Sequence, residues 1–333
     1  MTSSTRAGWA SGVDYRATSQ RPAWPKLPEP VRAAVAAVVG APVTPTGPAV
    51  ASGFSGGYAG VLATSRGSQL FVKADGPHHP FVVAALEQEA QVLAQLPPGI
   101  PAPRLVGFTS VDGWSVLVLE AVEGRLPGLP WTPADVTAVH DACLTIAELG
   151  TPWTVGESDL TGRMAGNPDV AGLARALVAG TSPPLSGLPP WLTDHQAELG
   201  ELVLGPATRL TGETLSHGDL RPDNLLVRPD GRAVVVDWNW VGPGPAWVDW
   251  VGLLPLMAWQ GVDTAALVAT SPLTRDTDPE DIDAFLACIV VYMLDGRDRP
   301  PPDGCTPALR RHQALMATAF LQLLGARRGW AAG

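Results

Sequence analysis

The chain has 333 residues, enough for two packed lobes around a sizeable core, and its 46% hydrophobic and 16% charged residues fit a soluble globular protein. No apolar run approaches the roughly 20 residues of a membrane span, and a formal net charge of −10 argues against nucleic acid or an anionic membrane as partner, since phosphates demand a basic face. Cys143, Cys288 and Cys305 lie far apart without metal-ligand spacing and read as reduced thiols in or near the core.

Residues 1–28 contain no apolar signal-peptide core, so a loosely ordered lead-in and a cytoplasmic location are expected. Residues 29–41 read as a helix with Pro30 in its first turn and Gly40 at its end. The prolines between 43 and 50 speak against a regular central strand. Ser52-Gly53-Phe54-Ser55-Gly56-Gly57-Tyr58-Ala59-Gly60 then reads as strand, glycine-rich turn and strand. Gly56 and Gly57 would let backbone amides approach a phosphate, because no Cβ intervenes. No Gly-Lys-Ser/Thr follows, so this is not a Walker loop. Lys73 ends an alternating run, Leu70-Phe71-Val72, and residues 81–96 carry Val82, Ala85, Leu86, Leu93 and Leu96 near helical spacing. That helix offers Glu87 and Glu89 on different faces as partners for Lys73. Strands are expected at 104–108 and 114–119, the second running into Glu120-Ala121-Val122-Glu123-Gly124.

Beyond Gly124, helices are predicted at 131–149 and 191–202, with a weaker one at 170–178 in a stretch rich in Gly, Pro and Ser. Residues 250–261 read as a buried helix broken or restarted at Pro255, and 281–294 and 307–324 as further helices. Between them, 215–237 concentrates the chemistry. Residues 225–227 and 233–236 read as strands joined by the turn Pro229-Asp230-Gly231, so Asn224 and Asp237 should face one another at the open end of a hairpin. An amide oxygen and a carboxylate suit Mg2+. Asp219, on a loop bent by Gly218 and Pro222, is a candidate proton acceptor, while Asp223 and Asp230 read as turn caps.

His217-Gly218-Asp219-Leu220-Arg221-Pro222-Asp223-Asn224, followed by Val236-Asp237-Trp238, resembles the catalytic loop and metal-binding aspartate of the aminoglycoside phosphotransferase and choline kinase group, small-molecule relatives of protein kinases. The run from Gly242 to Asp249 is similar to that group's segment ending in a structural aspartate. The resemblance implies an α+β, bilobal, protein-kinase-like fold. Its N-terminal antiparallel-sheet lobe would cover 29–123, and its mainly helical C-terminal lobe 124–333. It implies that Asp219 accepts or orients the proton of an acceptor hydroxyl, and that Asn224 and Asp237 hold Mg2+ on the phosphates of ATP. Lys73 would clamp those phosphates, with Glu89, not Glu87, holding Lys73. The backbone of Glu120 and Val122 would meet the adenine edge. His217 would support the loop, and Arg221 carries no assigned role. The expected function is ATP-dependent phosphorylation of a small-molecule hydroxyl. The resemblance, together with the acidic balance and the absence of basic patches, makes an aminoglycoside-like antibiotic or amino sugar the first candidate, with Asp281, Asp283 and Asp295 as contacts. Macrolides, nucleoside antibiotics and amino alcohols are alternative acceptors, and a nucleotide-binding regulatory pseudokinase is the rival class.

Overall fold

Side-chain alternation along five short strands builds the first layer. The computed structural model describes residues 13–155, 164–185, 187–297 and 299–330. In it, β1 (Val43–Pro45), β2 (Tyr58–Thr64), β3 (Gln69–Asp75), β4 (Leu105–Val111) and β5 (Trp114–Glu120) form one antiparallel sheet in the order β1-β2-β3-β5-β4. Along β5, Val116 and Val118 face one side while Leu117 and Leu119 face the other. The first side packs against α1 (Glu29–Val39), whose Val31 and Val35, one turn apart, are fully buried; each burial stabilises by about 1.5–3 kcal/mol. Gly40 stops α1 in the left-handed conformation, its amide turning back to Ala36 and Ala37. The second side carries α2 (Pro80–Leu93), whose Leu86 and Ala90 join Leu117 and Leu119 in the larger core. Pro45 does lie in a strand, but β1 is a three-residue sheet edge, where a missing N–H costs least.

As the chain leaves the sheet, Arg125 exchanges main-chain hydrogen bonds with Val227 (3.0 and 2.8 Å), joining the two lobes. The second lobe is mainly helical: α3 (Pro133–Leu149), α4 (Pro168–Val178), α5 (Leu192–Leu204), α6 (Val248–Trp259), α7 (Thr264–Thr270), α8 (Pro279–Arg297) and α9 (Ala308–Arg328). Thr132 caps α3 through the Asp135 amide, and Asn167 caps α4. Two short ribbons complete it, β6 (Thr214–Ser216) with β9 (Gly242–Gly244), and β7 (Leu225–Val227) with β8 (Ala233–Val235). Pro255 neither breaks nor restarts α6; the helix runs through it, and burial of the surrounding Leu253, Leu254, Leu256 and Met257 offsets one lost hydrogen bond. Among the described residues no helix is long and apolar enough to cross a membrane.

Residues 13–28, for which the sequence predicts a loose lead-in, are instead a strap across both cores. Val13 and Tyr15 are buried in the larger core, and Trp24 and Leu27 in the smaller one behind β2. The Tyr15 hydroxyl bonds His312 Nδ1 of α9 at 2.9 Å. Between these anchors, Thr18 and Ser19 hydroxyls donate to the carbonyls of Gly53 and Ser55. Arg21 donates to the carbonyls of Ser52 and Gly57 and to Ser55 Oγ. The strap thereby supports the glycine-rich loop from outside the sheet.

Candidate active site

The β7–β8 hairpin pairs Leu225 with Val235, and the Val236 amide donates to the Asn224 carbonyl (2.9 Å) at its open end. Asn224 and Asp237 therefore flank the same corner. Asp237 adopts a positive φ of 72°, which aspartate tolerates better than most residues. Its Oδ1 lies 2.5 Å from Lys73 Nζ on β3. Lys73 also reaches Glu89 Oε2 of α2 at 2.7 Å, whereas Glu87 takes a hydrogen bond from Ser115. Burial disfavours the Lys73 ammonium, but Asp237 and Glu89 outweigh it and raise its pKa. Burial likewise pushes against the Asp237 carboxylate, yet Lys73 holds its pKa down at about 2, so it is ionised at any physiological pH.

The loop before the hairpin is held by Asp249, in the first turn of α6. Its carboxylate accepts from the amides of His217 (2.7 Å) and Gly218 (3.0 Å) and from Ser216 Oγ (3.3 Å). His217 Nε2 meets the Val236 carbonyl at 3.0 Å while Nδ1 accepts the Asp219 amide at 3.3 Å, a pattern that requires the neutral ring. Burial lowers its pKa in that direction. Its place is thus one of support. Arg221 Nε and Nη2 grip Asp223 (3.0 and 3.2 Å), Nη1 contacts the Asp219 carboxylate, and the guanidinium lies 5.0 Å over the Phe54 ring. Asp223 is therefore not a turn cap but one half of a buried ion pair; Asp230 does cap its turn, accepting the Arg232 amide at 3.0 Å. Burial pushes the Asp219 carboxyl up to about 6, with Arg221 pulling the other way. Asn224 Nδ2 donates to the Asp219 carbonyl at 2.8 Å, so its amide oxygen remains available as an acceptor.

A single cavity of about 880 Å³ collects these groups: Lys73, Glu89, Asp219, Asn224 and Asp237 all line it. Glu120 and Val122 line it as well. The Glu120 amide is committed to the Arg104 carbonyl (3.0 Å), so a purine edge could draw only on its carbonyl. The two glycines part company. Gly57 lines the cavity, and a Cβ there would stand 2.5 Å from Asp75 Oδ2 and 2.9 Å from the Ala74 carbonyl. Gly56 is absent from the cavity wall, and its amide donates to the Gly304 carbonyl at 2.7 Å, so that amide is not offered to a phosphate. Beside it, Ser55 bridges Cys305 and the Thr306 amide donates to the Phe54 carbonyl (2.7 Å). The segment before α9 thus holds the glycine-rich loop from the opposite lobe, a contact without a local sequence signal.

The order strand lysine, helix glutamate, loop aspartate, hairpin asparagine and aspartate now stands on two lobes around one cavity. Residues 50–283 match the profile of the phosphotransferase enzyme family, APH. The chain belongs to that family. A search of curated proteins finds no match. Among solved structures, the family member resembles choline kinase LicA from Streptococcus pneumoniae at a TM-score of 0.56 and 13% identity, covering 88% of this chain and 98% of that one. A putative fructosamine-3-kinase from Haemophilus somnus gives 0.53 and 13%, covering 89% and 97%. An aminoglycoside phosphotransferase from Alicyclobacillus acidocaldarius gives 0.51 and 18%, covering 81% and 89%. At such identities the likeness establishes the bilobal, protein-kinase-like fold of this phosphotransferase.

Of the three acids singled out on the C-terminal helices, only Asp295 reaches the cavity. Asp283 is buried and paired with Arg327 (2.5 Å) and Arg328 (3.4 Å), which makes it a tie between α8 and α9. Asp281 does not line the cavity.

Proposed function

We propose that this phosphotransferase moves the γ-phosphoryl group of ATP to a hydroxyl of a small molecule, with Asp219 as the catalytic carboxylate. The observation that carries the reading is that Asp219 shares one cavity wall with Asn224, Asp237 and the Lys73–Glu89 pair. Its pKa near 6 leaves it ionised at neutral pH yet more basic than an exposed carboxylate, which suits a group that takes a hydroxyl proton. The acceptor oxygen then bonds to the γ-phosphorus as the bond to the ADP oxygen breaks, and the proton passes to Asp219. Lys73, fixed by Glu89, meets the phosphates as they arrive. Gly57, on the cavity wall, is a glycine of the loop placed near them. Rate enhancement comes mainly from alignment and from charges fixed before the substrate arrives.

The donor set fits Mg2+: an amide oxygen on Asn224 and an ionised carboxylate on Asp237, both hard oxygen ligands. Among the described residues no group of three or more His, Cys, Asp or Glu is placed to hold a metal. A two-ligand seat is what Mg2+ uses when phosphates and water complete its shell. When bound, it would neutralise charge on the β- and γ-phosphates.

The test is mass spectrometry of pooled hydroxyl compounds incubated with protein, ATP and Mg2+. One added phosphate on a pool member is the expected result. Nucleotidyl transfer would instead add a whole nucleotide and overturn the reaction type. ATP binding without turnover on any acceptor would favour a regulatory role.

A further inference from the structure

The neighbours are described as acting on aminoglycosides, choline and fructosamine, so the nature of the acceptor has to be read from this cavity itself. Net acidity makes a polycation the first candidate, yet every carboxylate that lines the cavity among the described residues is already partnered. Glu89 and Asp237 share Lys73, and Asp219 and Asp223 share Arg221. Asp249 is consumed by loop amides, and Glu120 lies 3.6 Å from Arg104. At the far wall, Asp169 and Asp295 both meet Arg299, at 2.9 and 2.6 Å. Arg310, also on that wall, donates to the carbonyls of Arg299 and Pro300, so both acids of the far wall are tied to Arg299 and a second arginine stands beside them.

Between those rim charges and Asp219 the wall is apolar. On α8, Phe285, Ile289 and Met293 recur at a spacing of four; on α9, Leu309, Met316 and Phe320 share a second stripe. This wall shares the cavity with Asp219 and reaches its loop through Phe54, whose ring lies 4.9 Å from that of His312 on α9 and under the Arg221 guanidinium. His312, on the same face of α9, is stripped of charge by burial and by Arg221, and it is taken up by the Tyr15 hydroxyl. A polycation placed here would lose its hydration and, among the described residues, meet no carboxylate without a partner. Thioether, phenyl and branched aliphatic groups instead reward removal of apolar surface from water, and methionine adapts to irregular shapes.

We infer that the α8–α9 wall is an acceptor subsite for an uncharged, amphipathic alcohol, one whose hydroxyl end reaches Asp219 while its apolar body lies along Met293, Met316 and Phe320. This rests on the phosphotransfer reading for calling the wall the acceptor side; the preference for an uncharged apolar body rests on the wall alone.

The full chain, loaded with ADP and Mg2+, is titrated calorimetrically with n-octyl β-D-glucoside below its micelle concentration and, separately, with kanamycin. The glucoside should bind at least about tenfold tighter, with affinity changing less than about twofold as salt rises from about 0.05 to 0.5 M. Met316→Glu should weaken the glucoside about tenfold or more. Because Met316 is buried and that variant is at risk of misfolding, Met293→Gln at a half-buried position serves as the second variant, with a loss of at least about threefold. Kanamycin binding more tightly than the glucoside, no glucoside binding, or glucoside affinity unmoved by Met293→Gln would each overturn the assignment. These readouts need no turnover. Phosphorylation of kanamycin with tight binding would keep the phosphotransfer reading and remove this one, while glucoside binding without transfer to any alcohol would do the reverse.

Discussion

At one end of the cavity Lys73, Glu89 and Asp237 lie within hydrogen-bond reach of one another, and Arg221 ties Asp219 to Asp223. At the other end Phe285, Met316 and Phe320 form the wall, and the nearest charges close on Arg299. The difference shows how one fold divides labour. Charges in a low-dielectric site help only when they are held before the reaction starts, so the first end is tied by Glu89, Asp249 and the strap. On the reading proposed above, the second end would recognise by shape and desolvation.

The largest break in that contrast is Asp219→Asn. It should lower kcat by about 10²–10⁴ and leave ATP-Mg2+ affinity nearly intact; single-turnover kinetics with a labelled nucleotide would show it. Unchanged turnover would remove Asp219 from the mechanism. Asp237→Ala should weaken Mg2+-dependent nucleotide binding about tenfold or more, read by titrations with and without chelator. Full affinity in that variant would seat the metal elsewhere. Next comes pH. Because the carboxyl of Asp219 sits near 6, above its ordinary value of 3.8, it is charged above about pH 6 and neutral below. Activity should therefore fall about tenfold per pH unit below 6 and stay flat between 7 and 8. A limb near pH 4 would mean that burial does not raise Asp219. The smallest effect should come from Tyr15→Phe, which deprives His312 of its partner and should cost about 1–2 kcal/mol in urea unfolding without changing acceptor preference.

The corner of the site was legible because its determinants are local. Pro229-Asp230-Gly231 sets the turn, alternation sets the two short strands, and together they bring Asn224 beside Asp237. Helical phase puts Glu87 and Glu89 on different faces, the family resemblance selects Glu89, and the structure places Glu89 on Lys73. What escaped the sequence depends on distant partners. Asp223 has the look of a turn residue until the Arg221 guanidinium is placed against it. Gly56 resembles a phosphate-binding glycine until Gly304 arrives from the other lobe. The β6–β9 ribbon joins Leu215 to Pro243 with no alternation long enough to predict either strand. Residues 13–28 have no periodicity, only isolated anchors such as Tyr15 and Trp24, and a single aromatic side chain does not announce which core will take it.

The strap also sets an order of assembly. Tyr15 precedes the sheet in the chain, yet its partner His312 lies 297 positions later, in the second turn of α9. The sheet with α1 and α2 is complete long before that helix leaves the ribosome. Tyr15 must therefore wait, while Trp24 and Leu27 can already settle behind β2. The Arg125–Val227 tie between the lobes can form without α9, whereas the Tyr15–His312 tie cannot.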